Sequence, residues 1–92
     1  MKTLVIDGMF RLRVPSHVHF SDGDLDTIKR DIAAILDETL SMKSARIALA
    51  NLRFTLERAQ IEPAEIELFA QQLFAYRASL TSRASLTSLI YS

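Results

Sequence analysis

The amino-acid pattern predicts an α+β fold, an N-terminal antiparallel β-hairpin packed on three helices, and three observations lead there. Asp7-Gly8 separates two extended runs, the hydrophobic period lengthens to that of a helix after Ser21, and three amphipathic stretches follow in a chain with only two Gly and two Pro. With 92 residues, 49% of them hydrophobic, residues 1–92 suit one α+β domain, just above the size at which a small core needs disulfides or a metal.

Asp-Gly is the strongest short-range signal for a two-residue type I′ turn, so the strands are expected over Lys2–Ile6 and Met9–Val14. A two-residue loop sets Val5 opposite Phe10, Thr3 opposite Leu12 and Met1 opposite Val14 as the apolar side. The other side then carries Lys2, Leu4, Ile6, Met9, Arg11 and Arg13. Pro15 ends the second strand, and Val18 and Phe20 are candidates for a short third one.

Leu25, Ile28, Ile32, Ile35, Leu36 and Thr39 recur at helical spacing behind Ser21-Asp22-Gly23-Asp24, which reads as a capping box, so a first helix is expected over about residues 22–40. The acids at its start suit the positive end of the helix dipole, and Asp26 is one turn from Arg30. A second helix is expected over about 43–60, with Ala45, Ala48, Leu49, Leu52, Leu56 and Ala59 as its core stripe. On its opposite side Ile47, Phe54 and Ile61 stand seven residues apart near Lys43, Asn51 and Arg58. Two apolar sides mean either a central helix packed on both flanks or an interface; central packing is the preferred expectation, since small proteins seldom expose large apolar stripes.

Pro63 opens a third helix, in which Ile66, Phe69, Leu73, Tyr76 and Leu80 alternate at spacings of three and four. A tandem hexapeptide follows, Arg77-Ala78-Ser79-Leu80-Thr81-Ser82 and then Arg83-Ala84-Ser85-Leu86-Thr87-Ser88. Two copies are far from a solenoid, and a short duplication near a terminus is the simpler account. Leu89-Ile90-Tyr91 is apolar enough to dock, as a continued helix or as an added strand.

Eleven basic residues balance eleven acidic ones, but the signs are segregated along the chain. Lys43, Arg46, Arg53 and Arg58 oppose only Glu57 in the second helix, whereas the first is acidic. Bulk attraction to nucleic acid is therefore absent, although a local basic patch can still touch phosphate. The absence of Cys removes disulfides, thiolate metal sites and thiol chemistry. Leu4, Val5 and Ile6 are too few for a signal peptide and no run approaches membrane-spanning length, so a cytoplasmic, membrane-free protein is expected.

Gly8 and Gly23 are too few and too scattered for a phosphate-cradling loop, and no serine sits in a Gly-x-Ser-x-Gly elbow. His17 and His19 share a side if extended and precede Asp22, Asp24 and Asp26, which resembles a mixed His/carboxylate metal site. The acids already have a capping role, and two exposed histidines beside a strand end are the plainer reading. A helix-turn-helix is disfavoured because Glu62, Glu65 and Glu67 would meet the phosphates. No metal, cofactor or catalytic residue is expected, and the chain is not expected to be an enzyme.

Short, chemically bare, charge-segregated and apolar on two sides of a helix, the chain resembles the small proteins that phages and mobile elements encode against host machinery, anti-CRISPR inhibitors in particular. The likeness is of length and character over the whole chain, without a motif, and leans to inhibitors of type I complexes, type I-F among them. It implies a viral protein that acts in the host cytoplasm, docks on an RNA-guided surveillance complex, with contact to the guide RNA backbone open, and denies it target DNA. The partner-binding candidates are Lys2, Arg11 and Arg13 on one patch and Arg46, Arg53 and Arg58 on another. The alternatives are a homodimeric adaptor resembling secretion chaperones, with Ile47, Phe54 and Ile61 as its seam, and a metal-dependent enzyme at His17 and His19.

Overall fold

A computed structural model describes the backbone of residues 1–91 and the side chains of residues 1–80. Its order is β1 (Lys2–Ile6), β2 (Phe10–Val14), α1 (Asp22–Leu36), α2 (Met42–Arg58) and α3 (Pro63–Tyr91), the α+β arrangement expected. Asp7 and Gly8 both adopt positive φ, 54° and 73°, as a type I′ turn requires, and the Met9 amide closes on the Ile6 carbonyl at 3.3 Å.

The register departs from expectation by one residue. Ile6 pairs with Phe10, Leu4 with Leu12 and Lys2 with Val14, so Met9 joins the loop and β2 starts one residue late. Phe10, Leu12 and Val14 face the core as foreseen, but β1 is turned over: Ile6 and Leu4 point inward, whereas Val5 and Thr3 join Arg11 and Arg13 on the outer face. Burying Ile6 beside Phe10 is what this register achieves. No third strand forms at Val18 or Phe20; a turn closed by the Val18 amide on the Pro15 carbonyl at 3.0 Å carries the chain to α1, with Val18 buried.

Ser21 caps α1, its Oγ accepting from the Asp24 amide at 3.1 Å. Ile28, Ile32 and Ile35 bury its inner face. The helix stops at Leu36 rather than near Leu40, and the reason is local competition. The Thr39 amide, which a continuing helix would direct to the Ile35 carbonyl, donates instead to Asp37 Oδ1 at 2.9 Å. Arg77 of α3 takes over the freed carbonyls, donating to those of Ile35, Asp37 and Leu40 at 2.7, 2.8 and 2.7 Å. A cation at the negative end of a helix is favoured twice, by the dipole and by the charge-assisted bonds.

Ser41 caps α2 by accepting from the Ser44 amide at 3.1 Å, and Ala45, Ala48, Leu52, Thr55 and Leu56 form its buried side. Its C-terminus is a Schellman turn: the Ile61 amide reaches the Leu56 carbonyl at 3.1 Å, the Gln60 amide reaches that of Glu57 at 2.9 Å, and Gln60 sits at φ 65°. The reversal swings Ile61 into the core. In α3, Ile66, Phe69, Ala70 and Leu73 are buried, and Tyr76 meets Phe10 edge-on with ring centroids 5.7 Å apart, fastening the hairpin to the helix. One hydrophobic cluster joins residues from all five elements. The α3 backbone runs on as helix to Tyr91, so the tail continues the helix; whether the side chains of Leu89, Ile90 and Tyr91 dock lies outside the described residues, as do all the side chains of the second hexapeptide.

Candidate docking surface

Among the described residues, Ile47 and Phe54 leave an apolar stripe uncovered on the outer face of α2. Ile47 is 56% exposed and Phe54 65%, so this helix is not packed on both flanks, contrary to the preferred expectation. Two turns separate them, about 10 Å along the axis, with Ala50 and Asn51 exposed between. Ile61 does not extend the stripe: it is 3% exposed, because the left-handed Gln60 ends the helical periodicity from which its position was extrapolated.

Cations rim the stripe on both sides. Arg53 pairs with Glu67 of α3 at 2.5 Å, which places the Arg46–Arg53 row, seven residues apart, along the α3 flank. Arg58 lies on the opposite flank, 3.4 Å from Asp24 of α1 and with its guanidinium 6.0 Å from the centre of the Phe54 ring. Both ion pairs are solvent-exposed, so each contributes little to stability. An aromatic and an aliphatic anchor ringed by arginines has the composition of interface hot spots.

The hairpin patch is not assembled as expected. Arg11 and Arg13 are exposed on the outer face, but the register sends Lys2 to the opposite one, where its Nζ lies 3.4 Å from His19 Nδ1. Two cations remain there in place of three. His17 and His19 line a cleft of about 270 Å³ with Asp24, Thr55, Arg58 and Gln60. Among the described residues no three His, Asp or Glu side chains converge as metal ligands, and Asp22 and Asp26 are not among the residues of that cleft.

Sequence reasoning missed Arg77 and Gln72. Arg77 follows Leu73 by four residues on the buried side of α3, a spacing that signals an inward side chain. Gln72 acts as a surrogate strand beside β2, its Oε1 accepting from the Arg11 amide at 3.0 Å and its Nε2 donating to the Arg11 carbonyl at 2.7 Å. Among the described residues no helix is long and apolar enough to cross a membrane. No family model matches the chain, and no curated protein or solved structure is significantly similar to it.

Proposed function

We propose that this chain is a non-enzymatic binding protein that docks through the outer face of α2 onto an acidic or phosphate-bearing surface of a macromolecular partner. The observation that carries the reading is the exposure of Phe54 and Ile47 between arginine flanks, on a helix whose other side already supplies the core. The apolar pair supplies the anchors. Arg46, Arg53 and Arg58 supply orientation and encounter rate through their charge.

Among partners of that chemistry, the likeness in size and character to anti-CRISPR inhibitors selects an RNA-guided surveillance complex of type I, with type I-F first. The chain would act stoichiometrically in the host cytoplasm, as a phage protein that denies the complex its target DNA. Target binding by a purified type I-F complex should therefore fall as the protein is added and be abolished near one equivalent. Full target binding at excess inhibitor removes this partner. The docking face is tested separately, by whether Ile47→Gln with Phe54→Gln, or instead Arg11→Glu with Arg13→Glu, releases whatever the tagged protein captures from its natural host. Loss with the hairpin pair alone would move the interface to the hairpin.

The exposure of Phe54 also favours a second reading, a homodimeric adaptor with Ile47 and Phe54 at its seam and without Ile61. Light scattering of the same α2 variant separates the two, because only the seam reading predicts a dimer that this variant dissociates.

A further inference from the structure

The two edges of the hairpin are treated differently by the fold. On β2, both backbone groups of Arg11 point outward and are taken by the Gln72 amide. Arg11 stands opposite Val5, so theirs is a non-hydrogen-bonded pair. The alternation of an antiparallel ladder then turns the N–H and C=O of Val5, and of Thr3 opposite Arg13, toward the open edge of β1. Among the described residues no hydrogen bond from outside the hairpin reaches either residue, and the sheet has no strand beyond β1. Val5 is 58% exposed.

This edge also lacks the usual protections. Within β1 there is no Pro and Lys2 is the sole charge, and its side chain lies on the helix side against His19, away from the outward-facing Thr3 and Val5. A two-stranded sheet is itself marginal and gains from a third strand.

We propose that β1 is the pairing edge for a second copy of this chain, two hairpins joining antiparallel about a two-fold axis through Leu4 into a four-stranded sheet. On that axis Thr3 of each copy stands opposite Val5 of the other, and the outward groups of both residues form about four hydrogen bonds. Lys2 falls opposite Ile6 and Met1 opposite Asp7, so no like charges oppose. The half-buried Leu4 side chains meet across the axis on the helix side. On the outer face Thr3 and Val5 of both copies form an uncharged centre, with Arg11 and Arg13 of each copy one strand further out. The α2 face takes no part, so a pair joined this way carries two docking faces.

The test reads association and edge protection together. Light scattering across a dilution series should show a monomer–dimer equilibrium, and hydrogen exchange should slow at the Thr3 and Val5 amides as concentration rises. Val5→Pro removes an outward donor without touching a bond of the hairpin, and Val5→Lys places a charge on the edge; each should weaken the dimer at least roughly tenfold with the circular dichroism spectrum unchanged. If Val5→Pro fails to fold, Val5→Lys and the wild-type exchange data still decide. A chain that stays monomeric to its solubility limit, exchange at Thr3 and Val5 that ignores concentration, or a dimer that withstands Val5→Lys and dissociates with Ile47→Gln and Phe54→Gln overturns the proposal.

Discussion

Arg77 shows how a charge can serve the core. It is only 8% exposed, yet its guanidinium spans three carbonyls at the end of α1 that no amide of that helix satisfies. Arg77→Ala leaves the Ile35 and Leu40 carbonyls without a donor and that of Asp37 with the Leu40 amide alone, and a loss of about 2–4 kcal/mol is expected in urea denaturation. Arg77→Lys should fall between, since a point charge lacks the fork that reaches three acceptors. Two carboxylates respond to pH in opposite senses. Burial raises the Asp31 pKa, with Arg30 lowering it in part, and Oδ2 has no hydrogen-bond partner. The folded state therefore keeps that proton to higher pH than the unfolded chain does, and stability declines as pH rises through the folded pKa. Asp31→Asn should stabilise the protein at neutral pH, and the gain should vanish in acid. Asp37 is held low by hydrogen bonds from the Thr39 hydroxyl and amide, so its contribution is present above its unfolded pKa and is lost as pH falls through the folded one. Denaturation of the two Asn variants, Asp31→Asn and Asp37→Asn, over an acid-to-neutral series separates these signs.

Whether an element was legible in the sequence depended on how strongly its pattern was tied to one face. In β2, Phe10, Leu12 and Val14 alternate with two arginines, and parity there was readable; in β1, Leu4, Val5 and Ile6 are apolar on both faces, so only packing selects between registers. The cap at Ser21 and the start of α3 at Pro63 were readable because their chemistry is local. The end of α2 was not, since Gln60 gives no sign of the left-handed conformation that Gly or Asn would announce. That residue offers a direct check. Gln60→Gly should stabilise the protein by roughly 0.5–1 kcal/mol if the Schellman turn is as described, and should destabilise it if α2 continued through this position.

On the scale of the whole molecule, the long third helix makes an elongated body of 52 × 23 × 22 Å, with one core between the hairpin and the helices. Composition and hydrophobic period were sufficient for that architecture and for placing Arg46, Arg53 and Arg58 on α2. They did not decide whether the stripe opposite the core face of α2 is covered, because that depends on where the neighbouring elements are placed. The most direct test of the docking surface is paired denaturation and capture with Ile47→Gln and Phe54→Gln together, since Gln preserves helix propensity and removes only the apolar anchors. An unfolding free energy within about 1 kcal/mol of the parent, with partner capture weakened at least tenfold, is the expected result. A loss of about 3–5 kcal/mol would return Phe54 to the core, and a stable variant that captures its partner at full strength would show that α2 is not the docking surface.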